Sequence, residues 1–180
     1  MTDLTTPPAD QQPAAGTQER TEIPADRVRL REILPAEAES LRDGGTADLE
    51  WLGGEPGDGT RVGARMMAGA AAAGLWQAGW GNYALVRVED GLAVGGMGFH
   101  GGPDGGRVEI GFDLVEPARG RGYATEALGA LARWALSRPG VEQVIATTTP
   151  DNVPSQRVME RAGFSRLPDI DGMLAFGLTG

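Results

Sequence analysis

Between Leu114 and Thr125 the chain reads LVEPARGRGYAT, two arginines and two glycines between the end of an apolar run and the start of a helical one. Residues of these types at this spacing bind anions. Glycine lets the backbone approach a phosphate closely, the first N–H groups of a helix have no intrahelical acceptor, and the helix dipole favours negative charge there. Arg119 and Arg121 add local positive charge to a chain whose formal net charge is −9. The nucleotide signatures built on the same physics are not spelled: Gly120 and Gly122 are followed at the next required place by Thr125, and no G-x-x-x-x-G-K-[ST] occurs. Taken alone, the same glycines would also serve an ordinary tight turn.

Other chemistries are bounded by what the chain lacks. With no cysteine there is no disulfide framework, thiolate metal site or cysteine nucleophile, and the single histidine, His100, excludes a histidine-based metal cluster. The acidic balance argues against a nucleic-acid partner and would draw in a cationic amine, although it also serves solubility. No apolar run approaches the ~20 residues of a membrane span, and the first residues lack the basic start and apolar stretch of a signal peptide. A cytoplasmic location without membrane contact is the expectation. Two carboxylates remain of interest, in VEIGFDLV. On a strand Glu109, Gly111 and Asp113 share one face and Ile110, Phe112 and Leu114 the other, where a carboxylate is either a base or a solvated side chain.

The elements that must position these residues follow from periodicity. Residues 1–26, rich in Pro, Thr, Gln and Ala, cannot bury enough apolar surface to offset their ordering entropy, which predicts a disordered tail before one domain at 27–180. VRLREI alternates as a strand, and Pro35 opens a helix with acids in its first turn and glycines past its end. A second helix is predicted from about Thr60 to Ala78, weakened by its glycines. YALVRVEDGLAVGGMGF is two apolar runs joined by Asp90-Gly91, which predicts a hairpin with a two-residue turn, and VEIGFDLV completes an antiparallel meander. Past the arginine-glycine turn, Ala124, Leu128, Leu131 and Ala135 form the apolar stripe of a helix that Pro139-Gly140 ends. VEQVIATTT reads as a strand, the segment to Gly163 as a loop and helix, and MLAFGLT as a terminal strand. Strand, helices, meander, then strand-helix-strand-helix-strand give an α+β or α/β single domain on a mixed sheet, and 180 residues at 41% hydrophobic suffice for one core.

Arg119-x-x-Gly122-x-Ala124 matches the R/Q-x-x-G-x-G/A signature of the GNAT acetyltransferase superfamily. Asn152-x-x-Ser155, followed by Glu160-Arg161-Ala162-Gly163-Phe164, resembles its next motif as found in the RimJ/RimL-like branch. The resemblance covers roughly Val28 to Leu178. It implies an N-acetyltransferase that moves an acetyl group from acetyl-CoA to a primary amine, on a small molecule or a protein N-terminus, by direct attack and without a metal. It further implies that the backbone of Leu114 and Val115 pairs with the pantetheine arm. The amides of Arg119, Gly120, Arg121, Gly122, Tyr123 and Ala124 would cradle the pyrophosphate, and Asn152 would bond the amide arm.

Glu109 has a counterpart in family members where a strand glutamate takes the amine proton through water, with Asp113 in reserve. Many members carry a tyrosine where this chain has Met159, so Ser155 becomes the candidate acid, helix capping being its alternative role. His100 stays outside the catalytic set, and Trp76, Trp80 and Tyr83 fall where similar proteins shape the acceptor pocket. A CoA-binding regulatory module without turnover is the competing reading. The acceptor's identity and a homodimer both stay open.

Overall fold

Val28, Leu30 and Glu32 turn inward along β2 (Val28–Glu32), the alternation the sequence spells. The buried Glu32 carboxylate accepts the N–H groups of Thr21, at 2.8 Å, and of Gly79, as a buried charge requires. The first of these bonds helps to hold the preceding residues against the sheet, where β1 (Glu22–Pro24) pairs antiparallel with β2. The computed structural model describes residues 19–180. The last residues of the expected tail, 1–26, therefore belong to the domain. Composition hid β1 because it is three residues long and contains a proline, tolerated at a sheet edge. The remaining tail residues, 1–18, lie outside the described residues.

Helix α1 (Pro35–Arg42) begins where Glu37 reaches back to the Leu34 N–H at 2.8 Å. Helix α2 (Asp58–Ala72) stops well before the expected Ala78. Gly74 takes φ +72°, and the Leu75 N–H closes onto the Ala70 carbonyl at 2.8 Å, a glycine-ended helix stop. Strands β3 (Asn82–Arg87), β4 (Ala93–Phe99) and β5 (Arg107–Leu114) form the expected antiparallel meander. The expected two-residue turn does not form at Asp90-Gly91. Arg87 N–H bonds the Leu92 carbonyl across a four-residue loop in which only Gly91 has positive φ, while the Asp90 carboxylate is drawn to the Arg87 guanidinium and the Leu92 N–H.

A short 3₁₀ turn (Glu116–Ala118) leads into α3 (Tyr123–Leu136), β6 (Gln143–Thr148) and α4 (Val153–Arg161). The chain then forms β7 (Ser165–Ile170), which periodicity did not reveal, and β8 (Met173–Thr179). One mixed eight-stranded sheet results, in the order β1-β2-β3-β4-β5-β6-β8-β7. Gly96 on β4 faces Thr60 of α2, and Phe99 meets Trp134 of α3 across 6.0 Å between ring centroids. Because these strand positions point to opposite faces, α2 and α3 cover opposite sides of the sheet. The join that matters for function is β5 to β6, parallel and confined to Arg107–Glu109 against Gln143–Ile145. Beyond it both strands continue unpaired with each other, to Leu114 and to Thr148.

Candidate active site

The open side of β5 is fixed by strand alternation. Val115 donates its N–H to the Val94 carbonyl and His100 its N–H to the Glu109 carbonyl, each at 3.0 Å. Every second residue of β5 thus bonds β4, and the backbone groups of Phe112 and Leu114 turn toward the gap beside β6. Of the two residues expected to offer backbone to a cofactor arm, Leu114 faces this gap. Val115 does not, because its N–H is taken by Val94 and its carbonyl accepts the Ala118 N–H at 3.0 Å.

The gap ends at the start of α3. Gly122 is the N-cap residue at φ +85°, a left-handed conformation natural to glycine, and no side chain caps the helix. Its carbonyl accepts the first ladder bond, from Glu126 N–H at 3.1 Å. The amides from Gly122 to Thr125 therefore have no intrahelical acceptor. At Gly120, φ +73°, the place of a Cβ is open space, and Arg119, Gly120, Arg121 and Gly122 are exposed, whereas Tyr123 and Ala124 are buried. Of the amides expected in the cradle, that of Arg119 is taken by the Glu116 carbonyl at 3.1 Å. Those from Gly120 to Ala124 have no partner among the described residues, and with two arginines and a helix N-terminus they fit a phosphate-bearing group.

Two residues that sequence reasoning passed over brace this loop. The Arg27 guanidinium donates to the Arg121 carbonyl at 3.0 Å and to Glu126 at 3.0 Å, and lies over the Tyr123 ring. Glu126 also accepts the Val28 N–H at 3.1 Å. No sequence signal could have paired positions 99 residues apart.

At the other end of the gap, Glu109 accepts a hydrogen bond from Thr147 Oγ1 at 2.7 Å, and its second oxygen lies 3.6 Å from His100 Nδ1. The structure thus brings His100, set aside from the sequence, to the favoured carboxylate, and adds Thr147, which no motif marked. Asp113 serves differently. Its Oδ2 accepts the Thr60 N–H at 3.2 Å, in the first turn of α2, a local structural role.

Asn152 caps α4, its Oδ1 accepting the Ser155 N–H at 3.3 Å. Ser155 is consequently not the capping residue, and its hydroxyl makes no hydrogen bond among the described residues. Met159 is 1% exposed and belongs to the core. Trp80 packs edge-on against Phe99 and Trp134, and the Tyr83 hydroxyl donates to the Gly79 carbonyl at 2.7 Å; burial pushes the Tyr83 phenol well above its usual range.

A cavity of about 230 Å³ lies under α2, against β3, β4 and β5. It shares His100, Gly101 and Gly102 with a more open hollow that Glu109 lines. Among the described residues no group of carboxylates and histidine has the arrangement of a metal site, and no helix is long and apolar enough to cross a membrane.

Residues 27–165 match the family model of the acetyltransferase (GNAT) domain. The chain belongs to this GNAT family. A segment of 87 residues is 40% identical to the uncharacterised N-acetyltransferase YjdG of Bacillus subtilis, covering 48% of this chain and 52% of that protein. The match therefore spans about half the length of that curated relative. Among solved structures, the acetyltransferase from Agrobacterium tumefaciens aligns at 25% identity with a TM-score of 0.63, over 89% of this chain and 95% of that one. Mycobacterium smegmatis RimJ, solved in complex with CoA-disulfide, aligns with a TM-score of 0.57 over 89% and 87% of the two chains. At 22% identity, that is a likeness of GNAT fold.

Proposed function

We propose that this GNAT protein transfers an acetyl group from acetyl-CoA to a primary amine. The observation that carries the reading is the gap between β5 and β6. It has strand backbone that pairs with no other strand on one wall, an arginine-bearing helix N-terminus at one end, and a hydrogen-bonded carboxylate at the other. The complex of Mycobacterium smegmatis RimJ with CoA-disulfide supports the cofactor. Acetyl-CoA would supply the activated acyl carbon, as a thioester.

The chain's own groups then have separable tasks. The amides from Gly120 to Ala124, with the two arginines, hold the pyrophosphate, and the Leu114 N–H, which faces the gap, and the Asn152 amide position the arm. Glu109, fixed by Thr147, takes a proton from the acceptor nitrogen directly or through one water as the C–N bond forms. The departing thiolate needs a proton, and the Ser155 hydroxyl, uncommitted within the fold, is the candidate donor. The proton then leaves Glu109 for solvent, and the C–S bond is the one broken.

The buried Met159, in place of a tyrosine, keeps a second reading in view, a CoA-binding module without turnover. Calorimetric titration with acetyl-CoA, paired with thiol release over a panel of amines, separates the two. Wild type should bind and release thiol, and Gly122→Glu should abolish binding with the fold intact by circular dichroism. Unchanged affinity in Gly122→Glu would remove the cradle from the mechanism, and binding without thiol release from any amine would favour the module.

A further inference from the structure

The cavity under α2 carries information about the acceptor that the GNAT fold does not. Its polar groups, His100 apart, are neutral or negative. Asn82 and Gln77 present amides, and among the described residues neither the hydroxyl of the 6%-exposed Thr60 nor the Trp76 indole N–H has a partner. Asp113 contributes a carboxylate, and Glu109 stands in the adjoining hollow. No arginine lines the cavity.

Its mouth is apolar. The described residues include five exposed large hydrophobic side chains, and three of them, Val62, Met66 and Leu75, belong to this cavity. Met66 and Leu75 are 54% and 72% exposed, with no element of the described residues covering them. Apolar side chains gathered at a cavity mouth mark a binding site.

We infer that the acceptor is an amine on an apolar body bearing a neutral hydrogen-bonding group and no carboxylate, for which an α-amino amide is the simplest form. The apolar body lies against Val62, Met66 and Leu75. The neutral group meets Asn82 or the unpartnered Thr60 and Trp76, whose burial without a partner is unfavourable. A carboxylate would enter a cavity that already holds one and whose single basic side chain, His100, already faces Glu109 at 3.6 Å. This inference rests on the acetyl-transfer reading of the same site, and two readouts keep their failures apart.

Leucinamide and phenylalaninamide are compared with leucine, phenylalanine and spermidine. Binding is read by ligand-observed NMR with CoA present, and kcat/KM by thiol release. The amides should exceed the amino acids by ~30-fold or more in both, and spermidine, which has no branched or aromatic body to set against Val62, Met66 and Leu75, by ~10-fold. Met66→Arg places a cation on the exposed mouth and should narrow the amide-to-acid ratio by ~10-fold. The acceptors' own basicity is common to both proteins and cannot produce that change, and Leu75→Arg repeats the test should Met66→Arg fail to fold.

Preferential binding of amides without thiol release would uphold the acceptor class and overturn acetyl transfer. Release with amino acids or spermidine at rates equal to the amides would uphold transfer and overturn the acceptor class, as would no binding of the amides. A tripeptide amide beginning with leucine distinguishes the source: rates at or above those of leucinamide indicate a peptide terminus, and much lower rates a small molecule.

Discussion

Glu109 and Asp113 are four residues apart on one face of β5, and nothing in their spacing says which would act on an amine. Their partners separate them. Glu109 is held by Thr147 with His100 beside it, whereas Asp113 caps the first turn of α2 through Thr60. Those partners come from distant segments, so the sequence could favour Glu109 over Asp113 only by family resemblance and not by their surroundings. The motif residues around Gly122 and Asn152 were legible because their signal is local. Glu109→Gln should lower turnover at neutral pH by ~10²-fold or more with acetyl-CoA affinity intact. The loss should shrink at alkaline pH, where the amine is neutral unaided. A pH-rate profile for the variant that never rises toward wild type would remove Glu109 as base. Asp113→Ala should instead lower stability by about 1 kcal/mol with acetyl-CoA affinity unchanged, read by urea unfolding and titration.

Two Asp-Gly pairs show that one dipeptide serves different turns, and only the first of them in the chain is singled out from the sequence. At Asp171-Gly172 both residues take positive φ, 48° and 78°, and Ile170 pairs with Met173 across the two-residue turn that such a dipeptide favours. At Asp90-Gly91 the same letters make a longer loop, because Arg87 and the Leu92 N–H engage the aspartate. Strand β7 escaped notice since SRLPDI has little apolar alternation and a proline, both suited to the sheet edge it occupies.

The glycines of α2 also differ from one another. An added Cβ at Gly69 would meet nothing within 4 Å, whereas at Gly63 it would lie 2.8 Å from the Asn82 amide nitrogen. Gly69→Ala should therefore stabilise by about 0.5–1 kcal/mol through helix propensity. Gly63→Ala should gain nothing and disturb Asn82 at the cavity. Thermal melts of the two variants, alongside acceptor KM, check this contrast.

Across the whole molecule, the β1-β2 end of the sheet is tied to α1 by charge. Glu37 on α1 is half-withdrawn from water, which alone would raise its pKa, but Arg20, the Leu34 N–H and Arg31 outweigh burial and hold it below the ordinary glutamate value. A carboxyl lowered in the folded state stabilises above its unfolded pKa of about 4.3, and that stability is lost as pH falls through the lowered value. Urea unfolding should show Glu37→Gln less stable than wild type by about 1–3 kcal/mol near neutrality. The difference should close in strong acid, and one that persisted there would mean packing, not charge, is responsible.

The arginines of the anion loop belong to a wider pattern, for all 16 basic residues of the chain are arginine and none is lysine. A guanidinium stays protonated and is no acyl acceptor, whereas a lysine ammonium can lose its proton near a reactive thioester. Lysine at 119 or 121 would give the loop the same charge and, beside the donor, a competing nucleophile. With arginine there, the protein concentrates an acylating agent against its own surface while offering it no side-chain amine, and so is protected from self-modification. Prolonged incubation with acetyl-CoA should leave peptides spanning residues 19–180 without acetyl groups by mass spectrometry, and Arg121→Lys should acquire one.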